Sequence, residues 1–258
     1  ISPENTIEEF NKQSGLPASF IMALAEDSLG RIWIGTGDGI ASYNKGTLQT
    51  YRLNDKFDAE YAFGFHIEQN SIWMATDRGL IHIDLTTNEM RAVTKENGLP
   101  VDKIFQIVVD NNNTFWLSSN RGIISITRKQ INNIIQGKSK FIDYKLFAEG
   151  VGLLSSQANG GSTPAATLHQ DGSVWIATAK GVSHINHGRL QRMAETALPV
   201  AIEQLDVDGK SYPILPKVKL PEGASRITIH YAGLGFLMAE DIEYQTQLIG
   251  FDTQWQNK

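Results

Sequence analysis

Residues 30–40 read GRIWIGTGDGI, and three later stretches repeat the same arrangement. In each stretch a tryptophan is followed six residues later by a glycine and then by an aliphatic residue. The tryptophans stand 40, 43 and 59 residues apart. A period near 40 built from short β-rich runs is typical of the blades of a β-propeller. The later stretches are NSIWMATDRGL (70–80), NTFWLSSNRGI (113–123) and GSVWIATAKGV (172–182).

The first repeat indicates how one unit folds. Its β-prone runs FIMALAED, RIWIGT, IASYN and LQTYRL are separated by turn residues, which predicts a four-stranded antiparallel meander. The glycine after each tryptophan supplies the positive φ that a tight hairpin needs. A single twisted sheet cannot bury its own face, so we expect the tryptophans to be buried between neighbouring blades. A surface platform that stacks on sugars is the alternative. These tryptophans are Trp33, Trp73, Trp116 and Trp175.

The third repeat carries an insertion, TRKQINNIIQGKSKF, at residues 127–141. Ile131, Ile134 and Ile135 recur at helical spacing, and a glycine follows them. This pattern predicts a short helix near 129–136, the one helical segment that we expect. It also moves the outer strand of the repeat to residues 141–147.

Composition excludes several classes of protein. The chain has 258 residues, of which 41% are hydrophobic, enough for one large or two ordinary domains. A formal net charge of −5 argues against a nucleic-acid partner, which requires a basic face. The absence of cysteine excludes disulfides and thiolate metal sites. No run approaches 18 apolar residues, so the sequence predicts no membrane span within the chain.

These repeats resemble those of the two-component-regulator propeller family. That repeat reads G-L-P, an inner strand, D-x-x-G and then W-I-G-T-x-x-G-L. GLPASFIMALAEDSLGRIWIGTGDGIASY (15–43) follows it closely, and GLPVDKIFQIVVDNNNTFWLSSNRGIISI (98–126) follows it again. The segment at 60–83 lacks the G-L-P opening. The segment at 152–185, with SSQANGG before a proline, resembles the last blade of such propellers.

Residues 199–255 resemble the Ig-like β-sandwich module that follows these propellers, the Y_Y_Y module. Tyr231 and Tyr244 match its name-giving tyrosines, and YQTQLIGFDTQW matches its closing signature. We therefore expect an all-β chain, with propeller blades over residues 1–198 and an Ig-like sandwich, incomplete at its C-terminus, over 199–258. In that sandwich we expect Ile249 and Phe251 to pack against Ile227, Ile229 and Tyr231. The expected four-stranded blades are 15–54, 55–97, 98–151 and 152–198.

The resemblance also implies a function. It implies a periplasmic sensing region of a bacterial inner-membrane protein, attached through a membrane helix beyond this chain to a histidine kinase or a GGDEF diguanylate cyclase. The expected ligand is an oligosaccharide or another small molecule. The fragment itself is expected to be non-catalytic. An incomplete sandwich leaves an unpaired strand edge, so we expect a homodimer. The alternative function is a propeller scaffold that only binds proteins.

Candidate ligand-binding residues come from the hairpin that carries the marker glycine. The residue before that glycine is Asp38 in the first repeat and a cation in the other three. Cations on one rim would attract an anionic ligand such as an acidic sugar, although solvated turn residues are the alternative. Asn159 is added because an amide both donates and accepts hydrogen bonds, although it could instead cap its own loop. The four candidates are Arg78, Arg121, Asn159 and Lys180.

The sequence gives little sign of catalytic chemistry. No G-x-S-x-G elbow and no phosphate-binding loop occur, so no cofactor is expected. His184 and His187 stand three apart, which on a strand places them on opposite faces and argues against a shared metal. The stretches 109–113 and 206–209 faintly resemble the start of calcium loops but lack the closing glutamate. Hairpin turns are the better interpretation of both.

Overall fold

The computed structural model describes residues 7–149, 152–161, 163–186, 188, 199–233 and 244–257. The chain divides into two compact units, Ile1–His187 and Gly188–Lys258. Within the described residues, the first unit contains four antiparallel sheets, and the second contains one three-stranded and one two-stranded sheet. The fold is therefore all-β, with four consecutive propeller-like blades in the first unit.

The first three blades are four-stranded meanders whose strands pair in chain order. The tryptophan of each repeat lies on the second strand, and the marker glycine opens the third, as the repeat pattern predicts. The strands are β1 (Ile21–Glu26), β2 (Ile32–Thr36), β3 (Gly39–Asn44), β4 (Thr47–Tyr51), β5 (Ala62–Ile67), β6 (Ser71–Thr76), β7 (Gly79–Asp84), β8 (Met90–Val93), β9 (Ile104–Val109), β10 (Thr114–Ser119), β11 (Gly122–Thr127) and β12 (Lys145–Phe147).

Among the described residues, helix occurs in short segments, and these are not confined to the insertion. Besides α2 (Arg128–Ile135), the structure contains α1 (Asn54–Phe57) and a 3-10 turn (Lys95–Asn97), so the expectation of a single helical segment is wrong. Both extra turns lie between blades, where the chain crosses from an outer strand to the next inner strand. The insertion is confirmed as helical over Arg128–Ile135, and Thr127 and Gln130 form a capping box at the start of this helix.

The fourth blade has three described strands, β13 (Ala166–Leu168), β14 (Val174–Thr178) and β15 (Gly181–Ile185). The prediction that all four tryptophans are buried is wrong for Trp175 in this blade. The side chains of Trp33, Trp73 and Trp116 are at most 2% exposed, whereas Trp175 is 41% exposed. Trp73 packs edge-on against Phe115 of the following blade, with ring centroids 5.0 Å apart. Trp175 lies in the last of the four sheets, so no later sheet among the described residues of its unit covers it.

Consecutive blades are joined by hydrogen bonds at one rim. The N–H of Gly39 donates to the carbonyl of Glu60, and the N–H of Gly79 donates to the carbonyl of Asp102, both at 2.7 Å. Each bond joins a β2–β3-type hairpin to the residues that lead into the inner strand of the next blade. Within the second blade, the buried carboxylate of Asp77 holds the same connection, because it accepts the N–H groups of Glu60 and Tyr61. Hairpins and blade-to-blade connections therefore share one rim.

The second unit contains β16 (Val200–Val207), β17 (Lys210–Tyr212), β18 (Ile227–Gly233), β19 (Gln245–Thr246) and β20 (Gln256–Asn257). Tyr231 and Tyr244 meet edge to face at 5.2 Å, and the Tyr244 hydroxyl accepts the N–H of Gly233. The expected packing of Ile249 and Phe251 is wrong, because these side chains are 92% and 82% exposed. The chain turns at this point instead of continuing as a strand, since the N–H groups of Phe251 and Asp252 both donate to the carbonyl of Leu248.

Candidate functional site

The segment 157–161 lies between two hairpins of the rim. The N–H of Ala158 donates to the carbonyl of Ser119 in the third blade, and the N–H of Asn159 donates to the carbonyl of Ala177 in the fourth, both at 3.0 Å. The carbonyl of Gln157 accepts a further bond from the fourth blade. The backbone of the segment is thus fixed on both sides, while the side chains of Gln157 and Asn159 stay exposed.

This segment borders an open cleft of about 600 Å³, which we call the Asn159 cleft. Its apolar part is formed by Phe63 from β5 and Phe105 from β9, whose rings meet at right angles with centroids 5.3 Å apart. Gly160 packs directly on Phe105, because a Cβ at this position would lie 2.5 Å from the ring. The remaining lining residues are Lys103, Asn120, Gln157, Ala158, Asn159 and Gly161.

The polar side chains that line the Asn159 cleft have no hydrogen-bond or ion-pair partners among the described residues. The side-chain amides of Asn120, Gln157 and Asn159 make no hydrogen bond to another described residue. Asn159 therefore does not cap its own loop there. The ammonium of Lys103 forms no ion pair with a described carboxylate, and no Asp or Glu lines the cleft. Such groups are able to donate and accept hydrogen bonds with a ligand without first breaking bonds of their own.

Arg78 lies in a different cleft of about 450 Å³, the Arg78 cleft. Its guanidinium is 3.2 Å from the carboxylate of Asp58, and this hydrogen bond raises the pKa of Arg78. In the same cleft Lys95 pairs with Asp102 at 2.8 Å. Carboxylates already neutralise Arg78 and Lys95, so the Arg78 cleft should attract an anionic ligand less strongly.

The remaining two candidate cations lie near the Asn159 cleft without lining it. Arg121 follows Asn120 in the β10–β11 hairpin, is exposed, and has no ion-pair partner among the described residues. Lys180, in the β14–β15 hairpin, lies 3.4 Å from Glu149. Of the four sequence candidates, the structure thus places only Asn159 in the cleft lining. Sequence reasoning missed Phe63, Lys103, Phe105 and Asn120.

The end of the cleft segment is tied to the inner strands. The hydroxyl of Thr163 lies 3.2 Å from the carbonyl of Met22 in the first blade and 3.3 Å from that of Phe63 in the second. The side-chain amide of Gln106 in the third blade contacts the same hydroxyl at 3.3 Å. One side chain therefore connects the chain beside the cleft to three blades.

Among the described residues, no three His, Asp or Glu side chains are grouped closely enough to hold a metal ion. None of the described helices has the length and apolar character needed to cross a membrane.

The comparisons with known proteins agree with this architecture. The sequence profile of the family described as "Two component regulator propeller" matches residues 15–38, which include the first inner strand and the first tryptophan. No curated protein sequence matches the chain significantly.

Solved structures share the fold at low sequence identity. One is described as the extracellular domain of a hybrid two-component system from B. thetaiotaomicron, with a TM-score of 0.65, 20% identity, and coverage of 98% of this chain and 34% of that one. A second, described as the extracellular domain of a one-component system from the same organism, has a TM-score of 0.50, 15% identity, and coverage of 97% and 33%. The chain thus spans about a third of the length of these two structures. At these identities the likeness concerns the fold.

Proposed function

We propose that this chain is part of the extracytoplasmic, ligand-sensing region of a bacterial membrane sensor, and that the Asn159 cleft binds the ligand. The observation that carries this proposal is that the polar side chains lining the cleft have no hydrogen-bond or ion-pair partners among the described residues. Three amides and one ammonium surround an apolar surface, and none has a partner among the described residues. Clefts that combine apolar walls with a few convergent polar groups are typical of small-molecule sites.

The fold likeness to extracellular domains of sensor systems supports the placement of the chain outside the cytoplasm. On this proposal the chain is periplasmic and non-catalytic, and the full-length protein carries a histidine kinase or a GGDEF diguanylate cyclase beyond the membrane. The ligand is a carbohydrate or another small molecule. The sequence resemblance to a Y_Y_Y sandwich at residues 199–255 supports the same reading.

A homodimer is part of this proposal. One face of the second unit's three-stranded sheet carries Val200, Ile202, Ile227 and Ile229, each about half exposed or more. A half-exposed apolar sheet face favours association with another chain. Light scattering across a range of protein concentrations tests this, and a molecular mass of one chain at the highest concentration would argue against the dimer.

Ligand binding is tested by thermal unfolding in the presence of a panel of mono- and oligosaccharides and common metabolites. A ligand that binds only the folded chain raises the melting temperature as its concentration increases. Asn159→Ala removes one of the side-chain amides that line the cleft, so it should reduce the rise in melting temperature that the ligand causes. Lys129→Met, an exposed change on α2 away from the cleft, should leave it unchanged. The absence of any shift across the panel would argue against the sensing function.

A protein-binding scaffold is the second candidate function. Phe20 is 69% exposed and Tyr61 is 39% exposed, and both lie just before inner strands, beside Gly37 of the first hairpin. Exposed aromatic side chains are enriched in protein interfaces. If this function is correct, Phe20→Ser should abolish capture of a protein partner, and no small molecule should stabilise the chain.

A further inference from the structure

Charge is distributed unequally between the two clefts of the rim. The Arg78 cleft is lined by three cations and three carboxylates, and two of the cations, Arg78 and Lys95, form ion pairs with Asp58 and Asp102. In the Asn159 cleft, Lys103 has no carboxylate partner, and the neighbouring Arg121 has none either among the described residues. The chain as a whole carries a formal charge of −5, so a cleft that has cations beside it and no carboxylate in its lining differs in charge from the chain average.

From this imbalance we infer that the Asn159 cleft binds an acidic saccharide, a sugar that carries a carboxylate or a sulfate group. This inference rests on the proposed function and names its ligand class. An unpaired ammonium next to a cleft without carboxylates is complementary to an anion. A neutral ligand would leave the positive charge of Lys103 unused, and a cationic ligand would be repelled.

The other lining groups favour a sugar over a simple anion. Asn120, Gln157 and Asn159 come from two separate stretches of the chain and present three free amides, each able to donate to and accept from hydroxyl groups. The rings of Phe63 and Phe105 offer an apolar surface for the C–H groups of a pyranose. An inorganic anion would use the charge but not the amides or the apolar surface, and it would fill little of about 600 Å³.

In this inference, Lys103 is the residue that recognises the negative charge of the ligand. It lies one residue before β9, so its backbone is held by the inner strand while its exposed side chain reaches the cleft. Arg121, one residue after the lining Asn120, adds positive potential at the edge. We therefore expect Lys103 to determine the preference for an acidic sugar, and the amides to determine affinity for acidic and neutral sugars alike.

The experiment compares each acidic sugar with its own neutral form by calorimetric titration of the full chain. The carboxylate arm uses trigalacturonic acid and its methyl ester, and the sulfate arm uses a κ-carrageenan tetrasaccharide and its desulfated form. In at least one arm the acidic form should bind about tenfold more tightly, which corresponds to about 1.4 kcal/mol. The preference should shrink as salt is added, because salt screens exposed charges.

Two lysine variants locate the effect. Lys103→Met keeps the length of the side chain but removes its charge, so it should equalise the affinities for the acidic and neutral forms. Lys129→Met removes an exposed charge from α2 in the same blade and should leave the preference intact. If the preference survives in Lys103→Met, the assignment of Lys103 is wrong.

The outcomes separate this inference from the proposed function. Equal binding of acidic and neutral forms by the unaltered chain would overturn the acidic class and leave a sugar-sensing function in place. No binding of any of the four saccharides would also overturn the inference. The proposed function would then depend on the wider metabolite panel, and would fall only if that panel also produced no stabilisation.

Discussion

The indole N–H of Trp33 donates a hydrogen bond to Oδ2 of Asp27, at 2.8 Å. Both side chains are buried. The other oxygen of Asp27 accepts the backbone N–H groups of Leu29 and Arg31, which closes the turn between β1 and β2. In the third blade the carboxylate of Asp110 makes the same bond to its tryptophan, also at 2.8 Å. A single carboxylate thus fixes both the turn and the orientation of the tryptophan that packs between blades.

Replacement of Asp27 by alanine should lower the free energy of unfolding by about 3 kcal/mol, because it leaves a buried indole N–H and two backbone N–H groups without acceptors. Urea unfolding monitored by tryptophan fluorescence measures this. Asp171→Ala is the control in the fourth blade. Asp171 is exposed and accepts a hydrogen bond from Ser173 instead of from the indole of Trp175. Asp171→Ala should therefore lower the free energy of unfolding much less than Asp27→Ala does. Equal losses in the two variants would contradict this role of the buried carboxylate.

The ion pair between Glu68 and Arg128 should contribute a coupling free energy of about 1 kcal/mol between the second and third blades. Arg128, at the start of α2, reaches both carboxylate oxygens of Glu68 and also lies over the ring of Phe115. A double-mutant cycle with Glu68→Gln and Arg128→Gln measures this coupling. The exposed pair of Arg78 and Asp58 is the matched control and should show almost none.

The same pair predicts a dependence on pH. Burial raises the pKa of the Glu68 carboxyl, but hydrogen bonds from His66 and Arg128 and the charge of Arg128 outweigh it, so this pKa lies well below its ordinary value of 4.5. A carboxyl with a lowered pKa in the folded state stabilises the fold above its unfolded pKa. This stability is lost as the pH falls below 4.5 towards the folded pKa. The difference in melting temperature between the unaltered chain and Glu68→Gln should therefore be constant near pH 7 and narrow below pH 4.5. A constant difference down to pH 3 would contradict the lowered pKa.

Gly39→Ala should destabilise the chain by about 3 kcal/mol, because two effects act at once. Gly39 has a φ of +100°, and a Cβ would lie 2.5 Å from the carbonyl oxygen of Tyr51. Gly46, in the next hairpin of the same blade, has a φ of +87° but no atom within 4 Å of the added Cβ. Gly46→Ala should therefore cost only the backbone strain, about 1 kcal/mol. Thermal unfolding of both variants gives the comparison, and similar costs would show that contact with Tyr51 is unimportant.

Thr163→Val should weaken the connection between the cleft segment and the inner strands. The change keeps the shape of the side chain but removes the hydroxyl that lies near the carbonyls of Met22 and Phe63 and the amide of Gln106. We expect a loss of about 1 kcal/mol, the usual value of a hydrogen bond of this kind. Hydrogen exchange should rise at β5 and β9 more than at β7 or β11. A uniform rise across all the blades would indicate general destabilisation.

Much of the fold is predictable from sequence because it depends on local repetition. The spacing of tryptophan and glycine gives the hairpin between the second and third strands, and the helical spacing of Ile131 and Ile134 gives α2. The sequence also carries a sign of the carboxylate that accepts the indole N–H in the first and third blades, since Asp27 and Asp110 each precede their tryptophan by six residues. The exposure of Trp175 was not predictable, because burial of this position depends on what packs on the sheet and not on the repeat itself.

The candidate site was harder to predict because it depends on distant pairs. Arg78 looked like the other rim cations in sequence, but Asp58, twenty residues earlier, neutralises it. Lys103 occupies the place that Phe20 holds in the first repeat, and nothing local indicates that it lacks a carboxylate partner. Phe63 and Gly160 are almost a hundred residues apart, and contacts made by distant parts of the chain, such as that of Gly160 with Phe105, bring both to one cleft.

The hydrogen bonds from Gly39 to Glu60 and from Gly79 to Asp102 use only main-chain atoms, although Glu60 and Asp102 have acidic side chains. These two bonds therefore do not depend on the side chains of the neighbouring hairpin residues Asp38 and Arg78. Residues such as Asp38 and Arg78 are free to change without cost to these joints. A rim built in this way allows the exposed side chains of its hairpins to change during evolution while the main-chain bonds between blades stay the same.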